Sequence, residues 1–183
     1  MNAFITSSLA VALVAIPASP AMAANDGTIE ITGRITATTC LVEGKPPGSG
    51  AATKAVDFGD ISAGNLAAAG QTSGDRGFQI KIGGNDECLD GVLAKIRFDP
   101  ASPSLDRATG RLNIDAGADA AKNVQIQIAN SDGTPINLYT EDSEGATIAS
   151  NSAVIPLIAR YYSTGKAEKG TANSRVGFQV VYQ

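Results

Sequence analysis

From residue 28 onward the chain alternates apolar and polar residues in short runs separated by Gly, Asn, Asp and Ser clusters, which is the two-residue period of half-buried strands. The pattern predicts strands over 28–39, 54–58, 77–82, 93–98, 124–129, 155–163 and 174–182, with shorter ones near Leu112 and over 136–139. Connections are polar and turn-forming: 44–50 with Pro46 and Pro47, 83–87, 100–103, 131–135 and 141–145. Only the alanine-rich patch at 66–69 suggests a helical turn. No long amphipathic helix is available as a crossover between parallel strands, so the expected fold is an antiparallel β-sandwich.

The first and last runs carry the most information. Phe178, Val180 and Tyr182 share one face of the final run, and the sequence stops one residue later, so this strand is expected to have an unpaired outer edge. Near the other end Ile29, Ile31, Gly33 and Ile35 share a face, with little ahead of them to pair with. Gly33 interrupts an apolar series, which suits a shallow point in a receiving groove; the alternative is an ordinary first strand whose glycine marks a bulge. Tyr182 likewise fits a core-facing last strand. A spare strand and a vacancy in one molecule together imply polymerisation by strand exchange.

Residues 4–16 form an uncharged apolar stretch followed by Pro17, Pro20 and Ala21, Met22, Ala23, the pattern of a secretory leader cleaved after Ala23. It departs from that pattern in having no Lys or Arg ahead of the apolar run. About 160 residues then remain, enough for one domain with a single core. Cys40 and Cys88 are the two cysteines. In an exported chain such a pair suits one disulfide, the alternative being two free buried thiols.

With 17% charged residues and a net charge of −4, nucleic acid and anionic membranes are poor partners, whereas a sparsely charged surface suits contact with other protein. The chain has no histidine, which removes the commonest general base and metal ligand. No nucleophile elbow, phosphate loop, dinucleotide fingerprint or C-x-x-C pair occurs. The carboxylate pairs Asp86/Glu87 and Glu141/Asp142 lie in turn-like segments and read as solvated loop charges rather than as a glycosidase pair. The loop 130–133 lacks the acid pattern of a calcium site and reads as a β-turn. No catalytic residue, metal or cofactor is expected.

These features resemble the structural pilins of chaperone-usher fimbriae, most closely the type 1 major pilin family. The likeness covers the whole mature chain: the extension ending in I-x-I-x-G-x-I, Cys40 just after it, Cys88 following F-Q-I-K-I, the segment I-P-L-I-A-R-Y-Y-S-T-G, a glycine (Gly170) fourteenth from the end, and the penultimate Tyr182 of F-Q-V-V-Y-Q. The resemblance implies an all-β, incomplete immunoglobulin-like sandwich lacking its last strand, completed in trans by a donor strand; pilins of this kind are a known case of strand addition to an open sheet edge. It divides the chain into a signal peptide (1–23), a donor-strand extension (24–36) and a pilin domain (37–183). Ile29, Ile31, Gly33 and Ile35 would be donor residues. Gly170, Phe178, Val180, Tyr182 and Gln183 would mark the strand that meets a periplasmic chaperone, with Gln183 presenting the terminal carboxylate to it. The implied partners are identical or related pilins, the chaperone and an outer-membrane usher; the implied location is a cell-surface fimbria, reached through the periplasm and supporting adhesion. A minor or adaptor pilin is the alternative within the class, and a monomeric secreted carbohydrate-binding sandwich the alternative outside it.

Overall fold

The computed structural model describes residues 40–50 and 52–183. Eight strands build two antiparallel sheets: β1 (Thr72–Gly83), β2 (Leu93–Phe98), β3 (Leu105–Asp106), β4 (Arg111–Asn113), β5 (Lys122–Asn130), β6 (Ala146–Thr147), β7 (Ser152–Glu168) and β8 (Phe178–Tyr182). The larger sheet has the order β1-β7-β5-β4-β3 and the smaller β6-β2-β8. Among the described residues the only helical element is a single 3-10 turn, Ala63–Leu66, whose N-cap Ser62 accepts the Gly64 N–H.

Alternation explains which faces meet. Ile80 and Ile82 of β1, Ile155, Leu157 and Ala159 of β7, and Ile126 and Ile128 of β5 point inward against Ala94, Ile96 and Phe98 of β2, all of them buried. Pro156 sits within β7, opposite Gln79, although β7 is an interior strand of its sheet. The ladder to β5 ends at the pair Asn130–Leu157. Pro156 therefore lies where β7 is locally an edge, and its missing N–H costs no ladder bond.

The disulfide is formed between Cys40 and Cys88, with Cα atoms 4.5 Å apart and both residues fully buried. Around it, Leu41 accepts the Gly83 N–H (2.8 Å), and the Asn151 side-chain amide donates to the Cys88 carbonyl (2.8 Å). These bonds seal one end of the sandwich.

Three expected strands differ. Residues 136–139 form a turn in which the Glu141 carboxylate accepts the Asn137 N–H (2.9 Å) and the Asn137 carbonyl accepts from Thr140 and Glu141; Ile136 and Leu138 are two buried anchors of a loop. Residues 54–58 keep the alternation but join no ladder. The strand expected over 174–182 is laddered only from Phe178, because Thr171 and Asn173 spend their backbone bonds on residues 115–121, while Gly177 donates to Ser102 and accepts from Asp99. The turn expected at 66–69 lies slightly earlier, at Ala63–Leu66. The expected leader, the extension and its residues Ile29, Ile31, Gly33 and Ile35 lie outside the described residues.

Replacing both cysteines by serine is expected to lower unfolding free energy by roughly 4 kcal/mol, the loop-closure value for a bridge of this span. Chemical denaturation of the oxidised and double-serine proteins measures it; equal midpoints would show that the bridge contributes nothing.

Candidate functional site: an open groove between the sheets

Between the two sheets runs a groove of about 1080 Å³. Its floor is apolar: Phe78 and Ile80 from β1, Ile126 and Ile128 from β5, and Ala159 from β7. Two chain segments form its rims. One is β8 with the residues leading into it, whose half-buried positions alternate from Ala172 through Ser174, Val176, Phe178 and Val180 to Tyr182. The other is the extended segment 52–58, where Ala52, Lys54, Val56 and Phe58 are the more buried positions and Thr53, Ala55 and Asp57 the exposed ones.

Register fixes where the backbone of β8 points. Gln183 and Leu93 exchange both hydrogen bonds (2.9 and 3.0 Å), and Asp99 donates to Gly177 (2.9 Å) at the other end of the pairing. Bonded and non-bonded pairs alternate in an antiparallel ladder, so Gln179 and Val181 face β2. The N–H and C=O groups of Phe178, Val180 and Tyr182 are thus directed to the opposite edge, where no described strand pairs with them. Segment 52–58 is similarly bare: among the described residues no backbone–backbone bond ties it to a strand, and it is held instead by the Phe58 carbonyl, which accepts from Arg76 Nη2 (3.1 Å), and by an ion pair of Lys54 with Glu43 (3.4 Å). One rim is a strand edge and the other an unladdered extended segment, and the space between them is one strand short.

Tyr161 of β7 ties the rims together. Its ring stacks on Phe58 with centroids 4.4 Å apart, and its hydroxyl donates to the Ala172 carbonyl (3.1 Å). Burial, and secondarily the charge of Asp57, raises the Tyr161 pKa and keeps the phenol a donor. Tyr182 is raised by burial alone, and its hydroxyl is enclosed without a hydrogen-bond partner among the described residues.

The expected site residues separate into two sets. Phe178, Val180 and Tyr182 line the groove as their alternation required, whereas Gly170 and Gln183 do not. Gly170 packs against the backbone of residues 119–121, where a Cβ would come within 2.4 Å of the Ala121 nitrogen, so its small size answers a close approach. Gln183 is exposed and spends its backbone on Leu93. Segment 52–58 as a rim and Tyr161 as the tie were not foreseen. The alternation at 54–58 was visible in the sequence, but a strand without a partner looks the same there as one with a partner.

The acidic pair Glu141/Asp142 has structural duties. Asp142 forms a two-pronged ion pair with Arg97 (2.7 Å to both Nε and Nη2), and Glu141 caps the turn at Asn137. The turn at 130–133 closes through the Gly133 N–H on the Asn130 carbonyl (3.0 Å), and Asp132 accepts from both the N–H and the hydroxyl of Thr134. Among the described residues no group of three or more Cys, Asp or Glu is arranged to hold a metal ion.

The model of the fimbrial protein family matches residues 29–183. This chain belongs to that family. The major fimbrial subunit SMF-1 of Stenotrophomonas maltophilia is 34% identical over 175 residues, covering 90% of this chain and 98% of that protein. The type-1 fimbrial protein A chain of Escherichia coli strain K12 is 30% identical over 169 residues, covering 87% and 85%. Among solved structures, a type I fimbria protein and antigen of Burkholderia pseudomallei superposes with a TM-score of 0.55 at 27% identity, over 73% of this chain and 86% of that one. The fimbrial chain is accordingly a structural subunit, not an enzyme, with an incomplete immunoglobulin-like sandwich.

Acid should loosen this fimbrial subunit through its bonded carboxylates. Hydrogen bonds hold Asp142 (from Arg97), Asp106 (from Thr109 and Gln125) and Asp132 (from Thr134) below the usual aspartate pKa. A carboxylate lowered on folding stabilises above its unfolded pKa, and that contribution disappears as pH falls through the folded value. Melting temperature is therefore expected to be flat from pH 7 to about 5 and to drop below about 4. Asp142→Asn should show a shallower drop; an unchanged profile would remove Asp142 from the account.

Proposed function

We propose that this chain is a shaft-forming subunit that polymerises head to tail by donating its extension, residues 24–36, to the groove of a second copy. The carrying observation is the groove itself: an apolar floor between two extended segments whose outward backbone groups have no described strand to bond. An extended segment with isoleucine at alternate positions meets both needs. Burying the side chains of Ile29, Ile31 and Ile35 contributes roughly 1.5–3 kcal/mol each, and the segment's two edges can bond β8 on one side and residues 52–58 on the other. Gly33 would face a point where the floor rises. Because donor and acceptor surfaces differ, the contact is heterologous and propagates as an open fibre.

The same vacancy calls for an escort. An exposed edge beside an apolar floor invites aggregation, so a periplasmic chaperone that lends a strand before assembly, and an usher that passes the subunit outward, fit this chain. Export would begin with the leader at 1–23, and the assembled subunit would reside in a fimbria at the cell surface.

The test uses a synthetic peptide of residues 24–36. Added to the chain lacking that segment, it is expected to bind one to one and raise the unfolding midpoint, while the same peptide carrying Ile31→Asp should bind at least roughly 100-fold more weakly, about the effect of replacing a buried isoleucine by an unpaired charge. Val180→Asp in the acceptor should weaken the native peptide comparably. A shortened chain that is stable, monomeric and indifferent to the peptide would end the proposal.

A further inference from the structure

Leu89 is a large apolar side chain left 44% exposed, one residue from Cys88. The loop that carries it is clamped on both flanks. The Asn151 amide holds the Cys88 carbonyl (2.8 Å); the Asp90 carboxylate accepts the N–H groups of Ser150 (3.0 Å) and Asn151 (2.7 Å); Gly91 donates to Ile148 (2.9 Å). The leucine is thus presented on a rigid base, where contact with a partner costs little further ordering. Its position matters more than its exposure. Cys88 and Cys40 have Cα atoms 4.5 Å apart, so Leu89 lies within about 8 Å of the residue at which the extension joins the folded body.

We infer that Leu89 is a contact residue of the joint between consecutive subunits and packs on the acceptor at the mouth of its groove. The inference rests on the proposed strand donation and adds a requirement of reach. With Ile35 seated in the acceptor, the five residue steps to Cys40 span at most about 18 Å even when fully extended. The acceptor's groove mouth must then come that close to the donor's Cys40. Leu89 stands beside Cys40 and enters the gap. The other exposed large hydrophobics have a different setting: Tyr139 lies under the Arg107 guanidinium, and Val154 is within β7, paired with Lys81 of β1. The partner is a second copy of this chain.

Three measurements on the full-length chain separate this inference from the reading it rests on. Fibres of Leu89→Asp are expected to lose subunits in guanidinium roughly five- to tenfold faster than wild type, the effect of uncovering about half a leucine, and fibres of Leu89→Met to behave as wild type. Subunits capped with an excess of the 24–36 peptide should unfold identically with or without the Leu89→Asp substitution, because the peptide fills the groove but brings no body to the joint. A photo-reactive residue placed at 89 should cross-link neighbouring subunits within the fibre. Equal dissociation rates with no cross-link would overturn the role of Leu89 and leave strand donation standing. Failure of the peptide to cap the wild-type groove would overturn both.

Discussion

Extended backbone without a partner is a row of hydrogen-bonding groups that needs either water or another strand, and this molecule places two such rows, the edge of β8 and the segment 52–58, on either side of an apolar floor. Water satisfies the edges only by wetting the floor, and apolar cover protects the floor only by stranding the edges. A strand with apolar residues on one face resolves both demands together. The other features of the sandwich keep this gap open and correctly shaped: the ladder from β2 holds β8 in a fixed register, and Tyr161 fixes the separation of the rims where Phe58 and Ala172 meet it.

The floor belongs to the main core. Ile80, Ile126, Ile128 and Ala159 serve both, so filling the groove extends the hydrophobic interior of the subunit into its occupant. In a subunit whose core is completed by its neighbour, as proposed, folding stability and association would not be separable quantities. The carboxyl groups whose pKa values fall, Asp106 in β3 and Asp132 and Asp142 in turns, are not among the residues that line the groove.

Much of this was readable from residues alone where side-chain period and backbone pairing coincide. The run 93–98 became β2 with its bounds intact, and the alternation of Phe178, Val180 and Tyr182 gave the correct inward face. Reading failed where alternation and pairing part company. Ile136 and Leu138 alternate because a loop needs two anchors, and residues 52–58 alternate because one face is half buried, yet neither segment is laddered. Period reports burial, whereas a ladder also needs a neighbour, and which neighbour is present is a property of the topology. Gly170 illustrates the same limit: its spacing from the end marked it, but the reason for a glycine there is the backbone of residues 119–121, far away in sequence.

The disulfide also governs how a fibre of such subunits would carry tension. A pull along a donated extension would arrive first at Cys40, and from there the main chain, held to the end of β1 by the bonds of Leu41 and Glu43, leads through residues 46–50 towards the unladdered rim 52–58. Load on that path would pry open the very slot in which the subunit holds its own neighbour. The covalent branch to Cys88 instead diverts force into a loop fastened to the start of β7 by Asn151 and Asp90. In a fibre built by the proposed donation the bridge would act as a strain relief, shielding the grip on the neighbouring subunit from the pull that tests it.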